Sequence, residues 1–445
     1  MHTLAPDRLA PPAPLIDEPL DQSRLAGLPE WFATMQRDAA EEFRTLPLPR
    51  REEENWRFAD PKRLRFDRFR PAPGLPETGA AEWISRSAAL EQVAGRYVFG
   101  NEILLAAERV NAAGVICEPL EAAVYRHPDL LREHFMSQEF PLGSGRYAAL
   151  HKARTRSGLL IYVPAGVHLE LPVEIVHWAG GEEVSIFPHT LVVTGANASV
   201  TVVEFFRSAD GLAAGSCGVV DLVAGPGSRI QHVSSQFLNE ESDFLQMSAA
   251  VVARDAHVKS LQLHGGAKNV RVESVCHLLE PNANSDMLSV SAPGAGQMLD
   301  QRTLQHHAAP NTKSDLLYKN VLSGDARTVF SGLIRVDEGA HYTDAYQTCR
   351  NLLLSDEAEA SSMPGLEINA DHVKCSHGST TGPIEEEAVF YAGTRGIPAE
   401  AARHLIAFGF AAEVFDRLGS ESLSGMLTGL LGQRFAELSI GAGPH

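Results

Sequence analysis

The sequence predicts a mainly β chain, with a parallel β-helix core between N-terminal and C-terminal helical regions. Three observations carry that prediction. Short apolar runs separated by turn residues fill the chain from about residue 158, with no amphipathic helices between them. The turns recur at a nearly constant spacing. Helical periodicity is clear only towards the two ends.

Residues 29–45, PEWFATMQRDAAEEFRT, place Trp31, Met35, Ala39 and Phe43 on one helical stripe. In the following LPLPRREEENWRFADPKRL, Pro47 and Pro49 lack the N–H a helix needs and stop it before Trp56 and Phe58. VAGRYVFGN and GVICEPL are strand candidates amid helical segments of residues 82–136. Residues 1–150 therefore read as a partly helical N-terminal region whose proline-rich start is a flexible arm.

Residues 151–394 read as the core. Runs such as GLLIYVPAG, TLVVTG, SVTVVEFF, GVVDLVAG and RIQHVSSQF alternate with Gly, Asn, Asp and Pro. A small residue flanked by turn formers recurs at Ala198, Gly227, Ala256, Ala283, Asn311, Ala340 and Ala370, in steps of 29, 29, 27, 28, 29 and 30. A weaker series at Ala267, Ala295, Ala326 and Ala358 falls roughly midway. Two turn series in antiphase describe a coil of about 29 residues with at least two strands, stacked at least about seven times. A β-sandwich would also string short strands between turns, but its loops vary more in length.

Residues 395–445 return to helical spacing. Pro398 suits a helix start. Leu405, Phe408, Ala412 and Phe415 form a stripe, Gly419 breaks the helix, and Leu423, Met426, Leu427, Leu430, Leu431 and Phe435 repeat the pattern. Two uses stay open for this surface: a cap on the end of the solenoid, or a docking site for another protein.

Composition narrows the function. The net charge of −18 argues against non-specific binding to nucleic acid or an anionic membrane. No apolar run reaches the roughly 20 residues of a spanning helix, and the first residues lack the pattern of a secretory signal. Cys117, Cys217, Cys276, Cys349 and Cys375 are odd in number and include no CxxC pair, which fits reduced thiols in a cytoplasmic protein. The motifs GxxxxGK[ST], GxSxG and HExxH are missing, so no ATP hydrolysis is expected of the chain itself. His264, His306 and His307 have no partners at ligand spacing and read as structural.

Residues 369–382, NADHVKCSHGSTTG, crowd two histidines, a cysteine and a lysine into six positions. In an extended strand Val373, Cys375 and His377 point one way, and His372, Lys374 and Ser376 the other. One thiol beside one imidazole is too few for a closed metal site. Any metal there borrows ligands from elsewhere in the chain or from another protein. Cys349 lies 28 residues before His377, close to one coil, and its offset from the turn marker differs from that of His377 by an even number. Cys349, Cys375 and His377 either share a thiol–imidazole patch, or are two small buried thiols and an ordinary strand histidine.

Residues 316–415 resemble the SufB/SufD family of iron–sulfur cluster assembly proteins. The resemblance is carried by AYQTCRNLLLSDEAEASSMPGLEINADHVKCSHGSTTGPIEEEAVFYAGTRGI and AARHLIAFGF, with LPLPRREEENWRFAD similar to a stretch near the N-terminus of SufD-like members. LEINADHVKCSHGSTTG looks like the SufD branch, since the SufB branch is expected to carry His-Glu-Ala in place of Cys375-Ser376-His377-Gly378. The resemblance implies a right-handed parallel β-helix and a non-catalytic scaffold subunit. It implies pairing with SufB through the β-helices and docking of the SufC ATPase through the C-terminal helices, with Arg395, Gly396, Phe408 and Phe410 on the partner-binding side. A homodimer in isolation is a further pairing. It also implies a transient iron–sulfur cluster shared with the partner, none being tightly bound by this chain alone. His377 matches the functional histidine of the SufD side, and Cys375 its neighbouring cysteine. Cys349 stands where SufB carries its assembly cysteine, and is either incidental or a thiol retained at the interface. A SufB-type or homodimeric scaffold is the first alternative. A β-helix carbohydrate-active enzyme is the second, although the chain lacks a signal and aspartates stacked at the coil period.

Overall fold

The computed structural model describes residues 20–72, 79–209 and 211–438. The starting arm read into the sequence falls mostly on residues 1–19, outside them.

From Ser157 to Pro383 the chain winds as a parallel β-solenoid, its successive strands alternating between two sheets of eleven and ten strands. Arg229, His257, Asn284, Lys313, Asp344 and Lys374 stack as backbone partners in the second sheet, in steps of 28, 27, 29, 31 and 30 residues. The turn marker of the sequence has a backbone cause. Asn197, Asp255, Asn282 and Asn311 adopt left-handed φ of 53°, 59°, 63° and 58°, which Asn, Asp and Gly tolerate best. The neighbouring Ala198, Ala256 and Ala283 are small because they turn into the buried corner. The sequence reading of two strands per coil therefore holds.

The solenoid interior joins the inward faces of both sheets, including Val192, Val220 and Val252 from one and Val202, Ile230 and Val258 from the other. One coil holds a buried carboxylate among them. Glu204 accepts from His177 Nε2 at 3.0 Å, from Thr190 at 2.7 Å and from His232 Nε2 at 3.2 Å. Burial alone would raise its pKa, but the two histidines outweigh it and hold the group well below the usual carboxylate range.

Gly158, in the strand Ser157–Val163, has φ +126°, and a Cβ there would sit 1.8 Å from the His189 carbonyl oxygen. Backbone cannot yield as a side chain does. Gly158→Ala is therefore expected to destabilise the protein by about 3 kcal/mol, read from the urea midpoint at unchanged slope.

Both outer faces are covered over the earlier coils, which is why many strands there read as continuous apolar runs, whereas outward residues of Asp344–Leu353 such as Tyr346 stay exposed. The N-terminal region packs on the first sheet. Its helix Glu30–Thr45 lies against helix Gly145–Arg154, and Phe66 and Phe69 reach Leu245 and Met247 of the solenoid. Helix Glu30–Thr45 ends just before Pro47, as expected. VAGRYVFGN and GVICEPL contain the strands Gly95–Gly100 and Ile116–Pro119, which extend the two sheets.

The C-terminal helices Glu386–Thr394, Ala399–Ala412 and Glu421–Glu437 pack on the flank of the second sheet. This corrects the alternative in which they cap the solenoid end. Val203, Leu261, Leu288 and Val321 point out of the sheet and need that cover. Gly419 stops the first arm at φ 68°, and Leu423, Leu427, Leu431 and Phe435 form the buried stripe of the last helix, both as expected. The preceding stripe is shifted. Ala402, Ala407 and Ala411 are buried, whereas Leu405 is 57% exposed. Small alanines let the helix approach the sheet closely, which an apolarity count overlooks. Among the described residues no helix is long and apolar enough to cross a membrane.

Candidate functional site

The last coil consists of Glu359–Ile368 in one sheet and Lys374–Pro383 in the other, each hydrogen-bonded to a neighbour on one side only. Burial collapses across this single step. Ile334 and Val336 are fully buried, and their partners one rung on, Leu366 and Ile368, are 37% and 40% exposed. In the other sheet Ala345, Gln347 and Cys349 are buried, and their partners Cys375, His377 and Ser379 are half-buried, exposed and exposed. The inward column of the solenoid thus opens to solvent at this end.

Cys375 and His377 alternate onto the inward face of Lys374–Pro383, as the spacing predicts. Cys375 and Val373 pack beside Ile334, Val336 and Ala345. Burial pushes the Cys375 thiol up. Cys349 shares the same inward face one rung down, but its backbone partner is Ser379, and Gln347 is the residue beneath His377. Cys349 is fully buried, and its thiol is pushed up to about 12 by desolvation, against weaker opposing hydrogen bonds, one accepted from Ser362 and one donated to Asn351. Its Sγ lies 3.8 Å from Asn320 Nδ2 and 3.7 Å from Asn351 Oδ1. Among the described residues no group of three or more His, Cys, Asp and Glu side chains is placed to hold a metal ion. Cys349, Cys375 and His377 therefore share a face without forming a preassembled ligand set.

Two features of this end escaped sequence reasoning. Ser291, Asn320, Asn351 and Thr381 stack one per coil. Asn320 Nδ2 donates to Asn351 Oδ1 at 2.8 Å, and Asn351 Nδ2 to Thr381 at 3.0 Å. The coil period would have revealed this ladder. Gln347 is the second feature: it is 1% exposed, and neither its Nε2 nor its Oε1 has a partner. An orphaned buried amide costs about 1–3 kcal/mol, so the site beneath His377 is polar and incompletely satisfied. Gly332 makes room for it, since a Cβ there would lie 2.0 Å from Gln347 Nε2.

The coil period also corrects the reading of His306 as partnerless. His277 stacks on it across one rung, their Nδ1 atoms 3.0 Å apart, and His306 Nε2 lies 2.8 Å from Asp337. His307 bonds Thr312 and Ser314, a structural role as expected. His264 is likewise buried in the interior, with neither ring nitrogen hydrogen-bonded.

On the C-terminal helices, Arg395 caps Glu386–Thr394 with its guanidinium 5.4 Å from the Tyr391 ring, and Gly396 follows at φ 82°. Phe408 and Phe410 are half-buried. Phe408 meets Phe435 edge-on at 5.5 Å, and the Phe410 ring covers Lys319 Nζ at 4.6 Å. The large apolar groups left in solvent are Phe390, Tyr391 and Leu405.

Known proteins match this sequence along most of its length. Residues 177–410 match the family described as SUF system FeS cluster assembly, SufBD core domain. The SufD assembly protein of Escherichia coli K12 is 28% identical over 393 residues, 87% of this chain and 89% of that protein. A SufBD family protein of Synechocystis is 26% identical over 427 residues, 92% of each chain. The SufB protein of Bacillus subtilis is 24% identical over 412 residues, 87% of this chain and 86% of its own. With more than half of its length matched to the family's core domain and most of its solenoid falling in that region, the chain belongs to the SufBD family of SUF-system iron–sulfur cluster assembly proteins.

Proposed function

We propose that the chain is a SufD-type, non-catalytic scaffold subunit. In this reading its open solenoid end pairs with a SufB-type chain, its C-terminal helices dock a SufC-type ATPase, and a nascent iron–sulfur cluster is handled at the paired end as cargo. The observation that carries the reading is the loss of burial across the last coil, where Leu366, Ile368, Cys375 and His377 stand exposed or half-buried above fully buried partners. A bare edge with apolar interior side chains favours strand-to-strand association. The ligand chemistry points the same way. Cys375 and His377 offer one thiol and one imidazole, so a partner must supply the rest. A thiol held up by burial gives up its proton reluctantly, which weakens metal binding and favours release. Five unpaired cysteines suit a reducing cytoplasm. Phe390, Tyr391 and Leu405 form the apolar surface for the ATPase, with Arg395 and Gly396 at its edge and Phe408 and Phe410 supporting it from beneath.

Co-expression tests the pairing. Tagged wild type is expected to recover both partner chains. Leu366→Glu with Ile368→Glu is expected to lose the SufB-type chain and keep the ATPase, and Phe390→Glu with Leu405→Glu to do the reverse. Unchanged recovery from either variant contradicts its interface.

A SufB-type or homodimeric reading has one observation in its favour, Cys349 buried directly under the open coil. It requires that Cys349→Ser abolish cluster assembly, whereas the SufD-type reading leaves assembly intact.

A further inference from the structure

The Pro-x-Pro stretch of the N-terminal region takes no part in the last coil. Pro47 and Pro49 instead wall a cleft of about 810 Å³, whose floor is made by Phe43, Leu64, Phe66 and Leu150. Leu48, at its lip, is 63% exposed. The volume lies within the range of small-molecule pockets, and the cleft joins an apolar floor to a charged rim.

Charge sets the cleft apart from the rest of the molecule. It is lined by Arg50, Lys62, Arg65 and Arg146 against one carboxylate, Asp67, in a chain of net charge −18. Asp67 is already taken, at 2.9 Å from Arg65. Arg146 lies 4.1 Å over the Phe43 ring and donates to the Phe43 and Leu46 carbonyls. Arg50 and Lys62 are exposed and their side chains form no ion pair among the described residues, while Glu53 and Asp60 accept from their backbone N–H groups at 3.2 and 3.1 Å.

We propose that this cleft binds a small amphiphilic anion, its carbon body on Phe43, Leu64, Phe66 and Leu150 and its carboxylate, sulfonate or phosphate head against Arg50 and Lys62. The site is independent of the cluster-handling end. A cationic ligand would meet a lining of four cations against one carboxylate already paired with Arg65.

Titration of the full chain with 1-anilinonaphthalene-8-sulfonate tests the proposal. The expected result is one saturable site per chain, displaced by dodecanoate and not by dodecyltrimethylammonium. Arg50→Glu with Lys62→Glu is expected to weaken that site at least about tenfold, and Leu48→Asp to weaken it as well. These are exposed positions, and an unchanged unfolding midpoint shows that the fold is kept. Absence of a saturable site, equal displacement by the cationic amphiphile, or an affinity indifferent to the charge reversal would each overturn the proposal.

Discussion

Stability is expected to fall steeply as pH drops below about 6.5, well before carboxylates titrate. His151, His264 and His307 are fully buried. Desolvation pushes His264 and His307 down to about 3, and pushes His151 well below its ordinary value with help from neighbouring His189. In the unfolded chain each titrates near 6.5. Below that pH the unfolded state binds protons that the folded state refuses, so stability rises with pH, is complete above about 6.5, and is lost as pH falls towards the folded values. Each of these histidines contributes up to about 1.4 kcal/mol per pH unit in that window, three together roughly 4 kcal/mol per unit, and the partly exposed His277, which desolvation holds down to about 4, adds a smaller share. Glu204 acts later. Its depressed carboxylate contributes stability that is present above about 4.5 and lost on further acidification. Urea midpoints at pH 7.5, 6.5 and 5.5 measure the first window. His264→Leu is the sharpest variant, because neither ring nitrogen has a hydrogen bond to lose. It should be neutral or stabilising and should flatten the slope by about a third. A slope unchanged by that substitution would contradict the assignment.

Arg271→Met is expected to produce the largest single loss of stability, about 3–5 kcal/mol. Arg271 is buried on the outer face of the first sheet and donates to Glu273 at 2.6 and 2.9 Å, to Asp300, and to the carbonyls of Leu142 at 2.7 Å and Asn55 at 3.1 Å. Its guanidinium lies 3.6 Å over the Trp56 ring. Arg302 continues the network, binding Asp300 at 2.6 Å and the Arg57 carbonyl at 2.9 Å. The Glu-Asn-Trp-Arg stretch of the N-terminal region is thus pinned to the solenoid by two arginines stacked one coil apart from acidic partners. Removing Arg271 leaves Glu273 buried without its cation. The same variant should expose residues 50–60 to limited proteolysis. A loss below about 1 kcal/mol with unchanged protease resistance would show that the network does not hold the region down.

How far the molecule was legible in the sequence depends on what each feature rests on. The coil was legible because Asn197, Gly227, Asp255, Asn282 and Asn311 hold the left-handed corner in five successive coils, whereas in the last two it is held by Tyr342 and His372, which no turn signal marks, so the markers Ala340 and Ala370 fall out of step with it. The alternation of Cys375 and His377 was legible from strand geometry alone. The flank position of the C-terminal helices was not, because it depends on outward residues such as Leu261 and Leu288, and an apolar run does not say which face awaits a cover. Leu405 was misplaced because helix packing favoured the small Ala402, Ala407 and Ala411. The His277–His306–Asp337 stack was legible in principle, being spaced by one coil at each step. The unpartnered Gln347 and the docking of Arg271 under Trp56 belong to tertiary structure, and no spacing rule contains them.

On the proposed function, the open last coil supplies part of a divided cluster site. Iron and acid-labile sulfide per complex, measured after co-purification with SufB-type and SufC-type chains, test it most directly. His377→Ala is expected to keep both partners while iron and sulfide fall at least about tenfold. A His377→Ala complex with undiminished iron and sulfide would contradict the claim and leave residues 374–383 as an ordinary final strand.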